Sequence, residues 1–148
     1  MKAEDIIREQ MQPGVISRDG FLGRDTRALN EIIADDRAAV RRLNLTHARI
    51  AARLRALRAA GAGGLGAFIP VAPHFEVAVE AAPGLLPCPF LDQVLIPKTS
   101  TTVRNLSSGA EVSFTDLNIH LIEAHGFYEG RQAPFRLEPE QLAAVLDI

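Results

Sequence analysis

The chain has 148 residues, of which 47% are hydrophobic and 23% are charged, and its net charge is −2. This composition is typical of a globular protein and excludes a disordered tail. A chain of this length buries about 68 to 70% of its unfolded surface, so we predict one domain over residues 1–148 with an ordinary core.

The cysteine content and the N-terminus bear on the cellular setting. Cys88 is the only cysteine, which excludes an internal disulfide and the cysteine-rich zinc modules. The N-terminal sequence MKAEDIIREQ lacks the apolar stretch of a signal peptide, and no run approaches the ~18 apolar residues of a membrane span. We therefore expect a cytoplasmic protein without a membrane partner.

Residues 1–60 are predicted to be mainly helical. A short helix over 3–11 is followed by a second helix that Asp25 or Thr26 could cap. Apolar residues recur at helical spacing along this second helix, but Asp36 falls within the apolar face, so it should be paired or lie at an interface. Thr46 is the expected cap of a third helix that ends at Gly61, and the two long helices would form a hairpin.

Residues 67–148 are predicted to form a sheet and then helices. Alternating apolar residues predict a strand at 75–80, and further strands are expected at 93–97, 101–106 and 111–114. The connections are too short for crossover helices, which favours antiparallel pairing.

Two helices should follow the sheet. Thr115 or Asp116 begins a helix that stops at Gly126, and Pro139 opens the last one. The fold class is therefore α+β, with an N-terminal helical hairpin packed with a small, mainly antiparallel sheet and two C-terminal helices.

The glycine-rich stretch at 61–66 matches G-x-G-x-x-G letter for letter. A dinucleotide site needs a strand before these glycines and a helix after them, whereas the reverse order is predicted here. The stretch is better explained as a connection between a helix and a strand.

Charge is unevenly distributed along the chain. Residues 24–58 carry nine basic and four acidic side chains, whereas residues 59–148 carry four basic and ten acidic ones. The asymmetry could mark a nucleic-acid surface, or complementary parts of one domain or of a dimer. The second helix is too long for a helix-turn-helix, so we expect a scaffold or dimer interface, a homo-oligomer, and no nucleic-acid partner.

Three polar residues share one face of the helix predicted at 116–125. Asp116 could orient the imidazole of His120, and Glu123 could add an oxygen donor, which would suit an acid/base pair or a metal site with His120 as ligand. The alternative is an ordinary solvated stripe. His125 lies about 140° from His120 around the helix, so the two are not expected to bind one metal, and His125 should instead interact with the helix C-terminus.

The segment 126–136 alternates aromatic residues and arginines. Arg131 and Arg136 could hold a carboxylate or phosphate while Tyr128 stacks on a flat group, unless the aromatic residues pack into the core. Cys88, in the sequence Pro87-Cys88-Pro89-Phe90, could be a nucleophile served by His74, His120 or His125, or a buried inert thiol.

These observations lead to three hypotheses of function. The favoured one is a module that binds a small anionic ligand or a protein partner through Tyr128, Arg131 and Arg136, with His125 and Cys88 nearby. The second is a metal-assisted or acid/base enzyme centred on His120 and Glu123. The third is nucleic-acid binding by the arginine-rich hairpin. The sequence identifies no cofactor for any of the three.

Overall fold

The computed structural model describes residues 2–148, and within them it has five α-helices and a four-stranded antiparallel sheet, which confirms the α+β class. A 3₁₀ turn at Ala62–Gly64 follows the third helix. The helices are α1 (Ala3–Gln10), α2 (Leu29–Arg42), α3 (His47–Gly61), α4 (Asp116–His125) and α5 (Pro139–Leu146), and the strands are β1 (Ile69–Val71), β2 (Phe75–Pro87), β3 (Leu95–Asn105) and β4 (Glu111–Thr115).

The sheet is an antiparallel meander in the order β1-β2-β3-β4. The β2–β3 hairpin is its longest part, because β2 continues past the Pro83-Gly84 pair through an irregularity between Ala82 and Leu85. The strands expected at 93–97 and 101–106 are consequently one strand. This hairpin carries the loop at 88–94 well away from β1, towards α4.

Two apolar clusters form the interior. The larger one packs α3 and α5 against one face of the sheet and contains Leu54, Val77, Val103 and Leu142. The second joins α1, α2, α4 and the loop at 88–94, and its buried members are Met11, Phe21, Leu22, Leu29, Ile32, Cys88, Leu117, Leu121 and Phe127. Helix α4 contributes to both clusters, so it lies between them.

The expected cap of α2 is wrong. The helix begins at Leu29, its N-cap is Ala28, and no side chain caps it. Asp25 instead lies buried and accepts hydrogen bonds from the guanidinium of Arg27 and from the backbone N–H of Arg131. The hydrogen bond from Arg27 holds the pKa of this carboxyl well below its usual range against the effect of burial. Asp25 thus joins two loops that are distant in sequence, a role that a local capping pattern does not reveal.

The discordant Asp36 of α2 is paired, as its position in an apolar face predicts. Its two oxygens accept from Nη1 and Nη2 of Arg136 at 2.5 and 2.8 Å. The exposed fractions of the two side chains are only 7% and 10%. A bidentate pair of this kind satisfies both charges where water cannot.

Salt bridges between α3 and α4 account for much of the uneven charge. Arg58 contacts Asp116 at 2.6 Å, and Arg55 contacts Glu123 through two hydrogen bonds of 3.1 Å. These basic side chains of α3 and acidic side chains of α4 are therefore paired across the contact between the two helices. None of the helices in residues 2–148 is long and apolar enough to cross a membrane.

Replacing Asp36 with alanine should lower the free energy of unfolding by about 3 to 5 kcal/mol, because the guanidinium of Arg136 would lose both bonds to this buried partner. The matched control is Asp35→Ala on the same helix, since Asp35 is 57% exposed and pairs with Arg27 at the surface. That change should cost less than about 1 kcal/mol. Urea denaturation of both variants tests the difference, and equal losses would contradict the assignment.

Candidate metal centre

The loop between β2 and β3 positions two candidate ligands. The backbone N–H of Cys88 donates to Val94 O at 3.0 Å, and Oδ1 of Asp92 accepts from the N–H of Val94 at 3.0 Å. Leu91 and Gln93 adopt left-handed φ values of 62° and 63°, which lets the chain reverse within a few residues. These features leave the thiol of Cys88 and Oδ2 of Asp92 on the same side of the loop as α4.

Helix α4 supplies the other two candidate ligands, His120 from its middle and His125 from its last position. The helix is fixed at its start by a capping box between Thr115 and Asn118, and at its end by Gly126, which has a left-handed φ of 60°. Nε2 of His120 lies 2.7 Å from Oδ2 of Asp92, and Nε2 of His125 lies 2.8 Å from the same oxygen. One carboxylate oxygen therefore joins both imidazoles to the loop.

Cys88 completes a compact group of four. Its Sγ lies 3.6 Å from Nε2 of His125, and the ligand atoms of Cys88, Asp92, His120 and His125 all lie within 4.8 Å of one another. Cys88 is buried, whereas the two imidazoles and the carboxylate are about one fifth exposed. A sulfur, a carboxylate oxygen and two imidazole nitrogens thus surround one point.

The sequence predicts that His120 and His125 do not bind one metal, whereas their candidate ligand nitrogens lie within 4.8 Å of each other. Their ring centroids are 5.5 Å apart and the rings meet edge to face. The angle of about 140° relates the Cα positions of the two residues around the helix axis. It does not determine the positions of their ring nitrogens, which depend on the side-chain torsions. Both ring nitrogens reach the same oxygen, Oδ2 of Asp92, in the loop at 88–94.

The electrostatics of the group favour an ionised Asp92 and a protonated Cys88. Burial opposes the charged carboxylate, but hydrogen bonds from His125, the Val94 N–H, His120 and the thiol outweigh it and hold the pKa of Asp92 well below its usual range. Burial raises the pKa of Cys88 to about 12, despite a hydrogen bond from the backbone N–H of Phe90. A carboxylate oxygen can only accept, so in this arrangement each imidazole carries a proton on Nε2.

Aromatic contacts fix the orientation of His125. Phe90 stacks on its ring with a centroid distance of 4.1 Å and an interplanar angle of 7°. Phe90 in turn meets Phe127 edge-on at 5.5 Å. Phe90 belongs to the same loop as Cys88 and Asp92. The stack therefore holds this loop against the ring of His125.

The other two residues of the predicted polar stripe do not join His120. Asp116 contacts Arg58, and Glu123 contacts Arg55, so both acids face α3. The imidazole of His120 turns instead to Asp92. The three residues leave the helix on one side, but their terminal atoms have different partners. Catalytic roles for Asp116 and Glu123 remain predictions.

The segment 126–136 is largely engaged in contacts within the domain. Tyr128 is fully buried, and its hydroxyl lies 2.8 Å from Nδ1 of His47. The guanidinium of Arg136 binds Asp36 and Glu138. Arg131 is held only by its backbone in the contacts described above, and its side chain is exposed. An anion-binding role remains a prediction that fits Arg131 better than Arg136.

Glu129 is an acid in this segment that the sequence did not single out. Its side chain is buried and its Oε2 accepts from Nδ2 of Asn118 at 3.0 Å. Burial raises the pKa of Glu129 to about 8, although the bond from Asn118 and the charge of Arg136 act in the opposite direction. A buried carboxyl with so few donors favours its protonated form.

Sequence analysis missed Asp92 and the meeting of Cys88 with both histidines. A usable signal was present, because structural zinc sites commonly space their ligands as C-x₂₋₄-C and H-x₃₋₅-H. Cys88-x₃-Asp92 and His120-x₄-His125 fit both spacings with an aspartate in place of the second cysteine. No family model, curated protein or solved structure matches the chain. The chemistry of the site is therefore inferred from its own residues.

Glu129→Gln should make stability less dependent on pH. In the parent protein the folded state keeps the proton of Glu129 up to a pKa of about 8, whereas a glutamate in the unfolded chain has a pKa of about 4.5. The free energy of unfolding should therefore fall as pH rises from about 4.5 to about 8, by on the order of a few kcal/mol. The glutamine variant should lack this loss in urea denaturation across that range, while the surface variant Glu140→Gln should follow the parent.

Proposed function

We propose that this protein binds one zinc ion through Cys88, Asp92, His120 and His125, and that the ion fastens the β2–β3 loop to α4. The observation that carries the proposal is the convergence of four zinc-type ligands from two separate segments of the chain. Exposed acidic clusters are common without a metal, but a group with one thiol and two imidazoles is far less ordinary.

The donor set favours zinc over harder ions. Magnesium and calcium prefer sites made of oxygen, whereas zinc accepts sulfur, imidazole nitrogen and carboxylate oxygen together. Iron(II), cobalt(II) and nickel(II) tolerate the same ligands, so metal content in the cell also depends on supply. Zinc is the member of this group that most often occupies four-ligand protein sites.

The ligand atoms, which all lie within 4.8 Å of one another, would have to move by up to about 1 Å for tetrahedral binding. Bond lengths of about 2.3 Å to sulfur and about 2.0 to 2.1 Å to nitrogen or oxygen imply ligand separations of roughly 3.4 to 3.6 Å around the ion. The distance from Cys88 Sγ to His125 Nε2 already is 3.6 Å. The two distances from imidazole to Asp92, 2.7 and 2.8 Å, would open by well under 1 Å.

Binding would also rearrange protons. The thiol would lose its proton to solvent. Each imidazole would free Nε2 either by moving that proton to Nδ1 or, if both nitrogens are protonated, by releasing the Nε2 proton to solvent. The ion would take the place of the hydrogen bonds that now join Asp92 to both rings. Zinc affinity is consequently expected to fall in acid, as it does for other thiolate and imidazole sites.

A structural role is favoured over a catalytic one. Four protein ligands close a tetrahedral site, whereas catalytic zinc keeps a position for water or substrate. In zinc modules of the ββα type a hairpin supplies two ligands and a helix supplies two histidines, and the layout here is similar. A cytoplasmic location suits the proposal, because a reducing compartment keeps Cys88 available as a thiolate ligand.

The experiment is a zinc titration of untagged, chelator-treated protein followed by native mass spectrometry. We expect one zinc per chain and a higher midpoint of thermal unfolding, since an ion at 100 times its dissociation constant adds about 2.7 kcal/mol to stability. Cobalt(II) should give the intense visible bands of a tetrahedral site and a thiolate charge-transfer band that Cys88→Ala removes. The same spectra report whether the protein is a homo-oligomer, as we predict.

Variants separate the metal centre from unspecific binding to histidine. Asp92→Ala, His120→Ala and His125→Ala should each weaken zinc binding by at least tenfold. The control is His74→Ala, since His74 also contacts a carboxylate, Asp147 at 2.6 Å, and that contact lies outside the group of four. If His120→Ala and His74→Ala retained zinc equally, or if the parent bound none, the proposal would fail.

A further inference from the structure

A cavity lies between the loop at 17–21 and the segment 129–135. Its volume is about 230 Å³, and it lies outside the group of four metal ligands. Much of its lining is apolar, and the apolar side chains are Phe21, Leu86, Leu117, Pro134 and Phe135. Phe135 is 39% exposed, so the cavity is open to solvent on that side. A space of this kind fits the apolar body of a small molecule.

Glu129 lines this cavity together with these apolar side chains. Only 4% of the residue is exposed, and Oε2 accepts from Asn118 while Oε1 accepts no hydrogen bond from the described residues. Among those residues, Thr101 Oγ1 is the one fully enclosed side-chain polar atom without a partner. Oε1 of Glu129 is therefore not sealed within the protein, and the cavity gives access to it.

No basic side chain among the described residues donates a hydrogen bond to the side chain of Glu129. The guanidinium of Arg136 is near, but it donates to Asp36, Glu138 and the backbone oxygen of Glu129 rather than to the Glu129 carboxylate. Arg18 and Asp19 lie at the exposed rim. Glu129 also holds a left-handed φ of 69°, which is unfavourable for a residue with a side chain.

We propose that the cavity binds a small primary amine with an aromatic or branched aliphatic body, whose ammonium group pairs with Oε1 of Glu129. A buried carboxylate with a single amide donor is poorly stabilised, and an ammonium supplies the charge and the donors that it lacks. The apolar walls would take up the rest of the molecule. The cavity is smaller than typical drug-sized sites, which limits the ligand to about one ring.

The test uses benzylammonium as the cationic probe and benzyl alcohol as its neutral counterpart, with the whole chain at pH 8.5, above the pKa of about 8 of Glu129, so that the carboxyl is ionised. Binding is followed by amide chemical shifts in ¹H–¹⁵N spectra. Benzylammonium should shift the amides of Leu117, Glu129 and Phe135 in a saturable way. Benzyl alcohol should bind at least about tenfold more weakly, because hydrogen bonds between charged groups are the stronger ones.

Two variants assign the effect to Glu129. Glu129→Gln keeps the size of the side chain and the acceptor for Asn118, and it should weaken benzylammonium binding by about tenfold or more. Glu140→Gln removes an exposed acid of α5 and should leave binding unchanged. Equal binding of the two probes by the parent protein would overturn the proposal whether or not the glutamine variant folds. Shifts confined to surface acids, or no saturable binding, would overturn it as well.

Discussion

Helix α4 packs against α3, the sheet and the loop at 88–94, and the positions of the candidate metal ligands on it depend on that packing. Asp116 and Glu123 face the arginines of α3, while His120 and His125 face the loop at 88–94. Asn118 is buried and bonds to Glu129. A short helix held in this way cannot rotate without breaking several contacts. The direction of its two imidazoles is therefore set by the fold as a whole.

The elements that local signals determine were predictable. Thr115 and Gly126 fix both ends of α4 through a side-chain cap and a left-handed residue, and the sequence identifies both. The pairing of Asp36 was also predictable, because a charge in an apolar stripe needs a partner. The identity of the partner was not, since Arg136 lies a hundred residues away along the chain. Long-range contacts of this kind leave no periodic signal.

The candidate site also depends on long-range contacts that the sequence pattern does not reveal. The pattern on α4 drew attention to Asp116, His120 and Glu123 because they share a helix face. Which neighbours a polar face meets depends on the elements that cover it, and here α3 takes the acids while the 88–94 loop takes the histidines. Asp92 had no distinctive local context beyond its spacing from Cys88. The sequence therefore drew attention to His120 but not to its contact with Asp92.

The hydrogen bonds of Asp92 have a physical consequence for the proposed zinc affinity. Small zinc modules unfold without their ion because they have little other core, whereas this domain has two apolar clusters that do not need one. Asp92 and the Phe90 stack already hold the ligands near their binding positions, which reduces the entropy lost when an ion binds. The same hydrogen bonds must be broken, and the buried thiol must give up a proton that it holds tightly. The carboxylate of Asp92 therefore both holds the imidazoles near their binding positions and competes with the ion for them. If zinc is the ligand, it would stabilise the end of α4 more than it would determine the fold.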